Sequence, residues 1–281
     1  MPQERIEEIT NILKSMDSLK DWYPQTNWTD IERNLTNELT KLKFPPTIEV
    51  EVVDNNERRV LVIPDLHFPF QHKNAITFLK GLYDKYDCNE VVCLGDILDN
   101  HFHSFHDSDP DGLSANEEFD KAVEGIKELA TLFPKVKVCA GNHDKIPMRK
   151  AFKMGISKKW VVTIKDVLLD AGCPIEDWDF AEHFIIDDVK YVHGVARMAK
   201  KRMIDDGRSC VSGHRHTQTY LDYHYNDFHT LFAMQLGALI DKEAYAFAYA
   251  NDYVCPYLSA GVVLNDGTQP IIEFMNQKEQ N

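Results

Sequence analysis

The sequence has no Cys-x-x-Cys pair among its six cysteines, Cys88, Cys93, Cys139, Cys173, Cys210 and Cys255. Their scatter speaks against a structural zinc site. Cys93 and Cys139 lie in apolar strand-like runs, so the cysteines read as small buried thiols in a reducing compartment. No apolar run approaches the ~18 residues of a membrane-spanning helix. Residues 1–17, MPQERIEEITNILKSMD, carry acidic groups and lack the apolar centre of a secretory signal. These absences predict a cytoplasmic protein with no membrane partner. The sequons at Asn27 and Asn34 are then matches by chance. Basic residues are outnumbered: 31 Lys and Arg against 45 Asp and Glu give a formal net charge of −14. Such a chain repels polyanions at long range, which counts against an extended duplex-binding surface. A nucleic-acid substrate stays open, because bound divalent cations would put positive charge where a phosphate must sit.

What is present is the composition of a globular protein, 43% hydrophobic and 27% charged over 281 residues. That suffices for one large α/β domain, with or without an appendage. Residues 4–20 place Ile6, Ile9, Ile12, Leu13, Met16 and Leu19 near a 3.6 period, and residues 29–43 do the same with Ile31, Leu35, Leu39 and Leu42. Thr29 and Asp30 are candidate caps for the second helix, and Pro45-Pro46 stops it. Residues 1–46 are therefore expected to form a helical appendage, and residues 47–281 the main domain. The appendage could be an oligomerisation or docking hairpin, or could simply pack on the main domain. From Thr47 the pattern alternates. Strands are expected at 47–53, 59–63, 91–94, 136–140, 188–192 and 209–212, a helix at 117–133, and mostly strand from 217 to 274. The mix suggests a sheet-on-sheet core with helices outside.

Five of these strands run into polar clusters: Asp65-Leu-His67, Gly95-Asp96-Ile-Leu-Asp99, Gly141-Asn142-His143-Asp144, His193-Gly194 and Gly213-His214-Arg-His216. Ligand sites in α/β sheets gather at the carboxyl ends of strands. Imidazole nitrogen mixed with carboxylate and amide oxygen, without thiolate, suits Mn, Fe, Ni or Zn. Asp-x-His and His-x-His put alternate side chains on one side of an extended segment, so two ligands can come from one strand end. A carboxylate between two cations can bridge them at ~3.5–4 Å.

In this order the five blocks resemble the signature of the calcineurin-like metallophosphoesterase superfamily, in the manner of its stand-alone phage and bacterial type. The resemblance covers residues 58–275 and leaves the first helices unexplained. It implies a four-layer αββα sandwich of two mixed β-sheets and two divalent metal ions, Mn first, with Fe, Ni, Zn or Mg as alternatives. Asp65, His67 and His216 would bind one metal, Asn142, His193 and His214 the other, and Asp96 would bridge them. The implied reaction is in-line attack on phosphorus by a metal-bridging hydroxide. His143 would contact the phosphate or protonate the leaving oxygen, Asp144 would orient His143, and Asp99 would pin its loop. The expected substrate is a phosphorylated small molecule or nucleotide, either a phosphate monoester or diester. A DNA or RNA nuclease is the alternative, and a non-catalytic scaffold on the same fold the third. Two departures from subfamily patterns stand out. Asp99 occupies the position where repair nucleases carry histidine. Asn100 and Asp144 replace the Arg and Glu of the Ser/Thr protein phosphatases.

Weaker signals have two readings each. Asn100, His103 and His106 are candidates for substrate contact, while a polar loop facing water would also place His101, His103 and His106 there. Arg197, Lys200, Lys201 and Arg202 suit a second phosphate or a solvated helix face, and Lys145 and Arg149 are similarly two-sided. Tyr245, Phe247, Tyr249, Tyr253 and Tyr257 could stack on a base, but packing in the second sheet is the commoner use of strand aromatics.

Overall fold

The computed structural model describes residues 2–22, 26–43, 57–103, 112–225, 230–244 and 255–275. The expected strand at 47–53 lies outside these residues, as do His106, Tyr245, Phe247, Tyr249 and Tyr253. The chain divides into two compact units, Met1–Ile48 and Glu49–Asn281.

The first unit is a pair of helices, α1 (Pro2–Trp22) and α2 (Trp28–Lys43). Arg5 pairs with Glu38 and Lys20 with Glu32, so the helices run antiparallel. Ile9 and Met16 are buried. The second helix starts a residue earlier than its sequence suggests. Asn27, not Thr29 or Asp30, supplies the cap, with its side-chain oxygen 3.3 Å from the Asp30 N–H. A cap acceptor has to stand about three residues before the donor it serves, and only Asn27 does.

The second unit contains two mixed sheets. Strands β1 (Val60–Ile63), β2 (Glu90–Cys93), β3 (Lys137–Cys139) and β4 (Asp179–Ala181) are mutually parallel. The antiparallel β10 (Ser259–Leu264) and β11 (Gln269–Phe274) complete a six-stranded sheet of order β11-β10-β1-β2-β3-β4. Strands β5 (His183–Ile186), β6 (Val189–Val192), β7 (Ser209–Ser212), β8 (Tyr220–Tyr225) and β9 (Thr230–Gln235) form the second sheet, of order β5-β6-β7-β9-β8.

Alternation along the strands separates the layers. In β1, Leu61 and Ile63 pack with Leu79 and Leu82 of α3 (Ala75–Lys85) and with Ile126 and Leu129 of α4 (Ala115–Leu132). Val60 and Val62 face the other way, into a core shared with Tyr191, Val211, Phe232 and Met234 of the second sheet. The outer face of that sheet, with Cys210 and Ala233, is covered by Ala199 and Met203 of α7 (Ala199–Asp206). The layers are thus helix, sheet, sheet, helix. Helices α5 (Ile146–Lys153) and α6 (Ile164–Asp170) and the short 3₁₀ turns His101–His103 and Lys158–Trp160 complete the unit.

Candidate metal centre

The parallel strands β1, β2 and β3 end side by side, and their loops are laced together beyond the sheet. The His67 N–H donates to the Asp96 carbonyl at 2.9 Å, and Phe68 N–H to Ile97 at 2.8 Å. His67, Asp96 and His214 all have positive φ, of 49°, 47° and 70°, in the sparsely used left-handed region. Two glycines let the loops close. A Cβ on Gly141 would stand 2.1 Å from Asp96 Oδ1, and one on Gly213 would stand 2.3 Å from Asp65 Oδ1. No side chain fits at either position.

Among the described residues three groups of metal-ligating atoms result: Asp65, His67 and His216; His67, Asp96 and His143; and Asp96, His193 and His214. Asp65, His67, Asp96 and His193 are buried. In the first group His67 Nδ1 lies 2.6 Å from Asp99 Oδ1, and His67 Nε2 lies 3.2 Å from His216 Nε2. Two imidazole nitrogens this close require something positive between them, a proton or a cation. His216 Nε2 is also 3.1 Å from Asp65 Oδ2, while Asp65 Oδ1 is buried with no hydrogen-bond partner. In the last group His193 Nδ1 donates to the Leu94 carbonyl at 3.1 Å. His193 Nε2 therefore faces Asn142 Oδ1 at 2.9 Å and Asp96 Oδ2 at 3.0 Å. A nitrogen lone pair directed at two acceptor oxygens is repulsive unless a positive charge sits there. Buried Asp65 Oδ1 and these two crowded nitrogens fit divalent cations held by nitrogen and oxygen.

The electrostatics agree with that fit. Burial opposes charge on Asp96, but His193, His143 and His67 outweigh it and hold the carboxyl far below the ordinary range. Asp99 is held low against burial by His143 and His67. Burial also opposes the cationic forms of His143 and His193. Asp99 and Asp96 nonetheless push His143 up to about 10, and Asp96 and Asp65 push His193 up to about 9. His67 and His214 move the other way. Burial and the adjacent imidazoles His143 and His193 lower them, His214 to about 4.

The structure thus gathers Asp65, His67, Asp96, Asn142, His193, His214, His216 and His143 in one place. It reassigns two neighbours. Asp144 does not orient His143. Its Oδ1 accepts from the Leu98 N–H at 3.1 Å and its Oδ2 from the Gly141 N–H at 3.0 Å. Burial, with Asp96 nearby, raises its carboxyl to about 7. The residue on His143 is Asp99, whose carbonyl accepts from His143 Nδ1 at 2.7 Å and whose Oδ1 lies 3.2 Å away. Spacing alone does not distinguish them, because the choice depends on which way each side chain turns from its loop. Asn100 donates from Nδ2 to the His143 carbonyl at 3.0 Å, so it braces the loop. His103 ends the 3₁₀ turn and is exposed. Glu118 of α4 had no sequence signal. It accepts from the His101 and Phe102 N–H groups at 2.7 and 3.0 Å and ties that turn down.

A family model described as calcineurin-like phosphoesterase matches residues 58–233. No curated protein matches the chain. Among solved structures, a metallophosphoesterase from Sphaerobacter thermophilus is 15% identical, covering 79% of this chain and 89% of its own, with a TM-score of 0.41. The phosphoesterase Yfce from E. coli is 15% identical, covering 79% and 95%, with a TM-score of 0.41. Vacuolar protein sorting 29 from Cryptosporidium parvum is 14% identical, covering 79% and 99%, with a TM-score of 0.40.

Proposed function

The chain belongs to the calcineurin-like phosphoesterase family, and we propose that it is a two-metal hydrolase of phosphate mono- or diesters with a nucleotide-like substrate. The observation that carries this reading is the place of Asp96. Its Oδ2 stands 3.0 Å from His193 Nε2 and 3.7 Å from His67 Nε2, so one carboxylate oxygen faces the nitrogen donors of both groups. Asp65, His67 and His216 would hold one cation and Asn142, His193 and His214 the other, with Asp96 shared. When bound, the cations would polarise the phosphoryl oxygens and lower the pKa of water. Mn is the first choice; Fe, Ni, Zn or Mg also suit the donor set.

The chain's own groups do the rest. Since His143 Nδ1 is committed to the Asp99 carbonyl, its Nε2 is the atom that can deliver a proton to the leaving oxygen. Asp99 holds the rings of His67 and His143 in register with one carboxylate. Asp144 fixes the turn from which Asn142 and His143 project.

A nuclease is the second reading. The observation in its favour is the run from Lys145 to Lys165, which has seven Lys and Arg and no Asp or Glu. A non-catalytic scaffold would be expected to have lost ligands, and the set here is complete.

The test is hydrolysis by protein stripped of metal and reloaded with Mn, Ni, Zn or Mg, on bis-p-nitrophenyl phosphate, p-nitrophenyl phosphate and cyclic nucleotides. Turnover should require metal, and His143→Ala should lower kcat by roughly 10²–10⁴-fold while two metals per chain are retained. Turnover without metal, or none on any ester with two metals bound, would overturn the reading.

A further inference from the structure

The longest stretch of this acidic chain without Asp or Glu begins directly after Asp144, and it is basic. From Lys145 to Lys165 there are seven Lys and Arg and no Asp or Glu, in a chain of net charge −14. Helix α5 and the 3₁₀ turn Lys158–Trp160 carry most of it. Every residue from Phe152 to Trp160 is exposed. The apolar side chains among the cations are open as well: Trp160 is 85% exposed, Met154 77%, Val162 67% and Phe152 45%. Four large apolar side chains open to water within eleven positions of one segment, interspersed with Lys153, Lys158 and Lys159, mark a surface that meets a partner. The stretch starts at the candidate centre. Helix α5 lies against the 3₁₀ turn His101–His103.

We propose that residues 145–165 form a track for single-stranded nucleic acid that leads its phosphates to the metal centre. The proposal rests on the phosphoesterase reading of that centre and narrows its substrate to a polymer. A single strand offers alternating phosphates and unstacked bases. Exposed cations such as Arg149, Lys153, Lys158 and Lys159 suit the phosphates, and Trp160 and Phe152 offer faces on which bases stack. A duplex has no open base faces for these rings and needs a broader basic surface than a chain of this charge provides. An anionic bilayer would also attract exposed Trp and Lys, but it makes no use of a basic stretch that begins two residues after His143. A strand running along the stretch arrives with a phosphodiester at the donors.

The experiment is fluorescence anisotropy of a labelled oligonucleotide of about 20 nucleotides, long enough for a single-strand site, with full-length protein held in chelator so that nothing is cleaved. Single-stranded DNA or RNA should bind in a salt-dependent way. Trp160→Ala should weaken binding about tenfold, the loss expected for one stacked base. Lys158→Glu with Lys159→Glu should weaken it further and make the log–log salt slope shallower by about 1.4. These side chains are exposed, so the variants should melt as the wild type does. Reloaded with metal, they should hydrolyse bis-p-nitrophenyl phosphate as the wild type does. The track is overturned if the variants bind the strand unchanged, if duplex competes as well as single strand, or if phosphatidylserine vesicles bind and the strand does not. If the strand responds to the variants but no ester is hydrolysed, the track stands and the hydrolase reading falls. If the ester is hydrolysed but the strand ignores the variants, the reverse holds.

Discussion

Asp99 and Asp144 sit three positions beyond Asp96 and Gly141 respectively, and both carboxylates are withdrawn from solvent, yet they do different work. Asp99 meets two imidazoles, His67 at 2.6 Å and His143 at 3.2 Å. Asp144 meets two backbone N–H groups, of Leu98 and Gly141. Removing the charge at Asp99 should therefore appear in catalysis. Asp99→Asn is expected to lower kcat/KM on bis-p-nitrophenyl phosphate roughly 10–100-fold, the usual cost of losing a carboxylate behind a ligand histidine. Removing Asp144 should appear in folding. Asp144→Ala leaves two buried donors without an acceptor, and each costs about 1–3 kcal/mol. Urea unfolding and steady-state kinetics on both variants separate these roles. Equal losses of activity at equal stability would show that Asp144 also acts on His143. Residue types and order made the candidate centre legible in the sequence, since each block ends an apolar strand. The partners of the two aspartates were not legible, because they depend on loop conformations such as the positive φ of Asp96 and Asn100, 47° and 51°.

Legibility among the elements follows length and burial. Strands β1, β2, β6 and β7 show as short apolar runs ahead of polar blocks, and β7 keeps the expected limits, 209–212. Helix α4 shows its period, but it begins at Ala115 and not at the expected 117, because Ser114 and Glu117 form a capping box that starts it earlier. Helix α3 is not legible in the sequence although Ala75, Ile76, Leu79 and Leu82 line its buried face; Gly81 and the aromatics around it dilute the helical signal. Strands β4 and β5, of 3 and 4 residues, are too short to display a period. The start of α4 also acts beyond itself through Glu118. Burial raises its carboxyl from 4.5 to about 7, even though the Phe102 and His101 N–H groups favour its charge. An acid whose pKa is raised on folding adds stability that is fully present below the unfolded value and is lost as pH rises through the folded one. Stability should thus fall between pH 4.5 and about 7 through this group. Thermal melts of wild type and Glu118→Gln across that range should diverge in slope, because Gln removes the titration while adding a constant offset for the misplaced amide. Parallel curves would mean that Glu118 stays charged on its two backbone donors.

At the scale of the whole molecule, net charge misleads where local charge informs. The value of −14 averages over 281 residues, yet residues 145–165 carry seven Lys and Arg and no Asp or Glu. The same applies to the division of the chain. By its internal contacts the chain separates into Met1–Ile48 and Glu49–Asn281. Among the described residues, the four apolar clusters lie wholly in the second unit, as does each residue assigned to the metal centre. A unit with its own core and a complete donor set should fold and act alone. Residues 49–281 expressed by themselves are expected to melt cooperatively, to bind the same number of metals per chain as the full protein, and to keep kcat/KM on bis-p-nitrophenyl phosphate within about twofold, the margin expected when no site residue is lost. A cooperative melt with activity reduced more than about tenfold, equivalent to 1.4 kcal/mol at the transition state, would instead make the helical pair α1–α2 a contributor to substrate or metal handling. Comparing small ester with oligonucleotide would then say which of the two it serves.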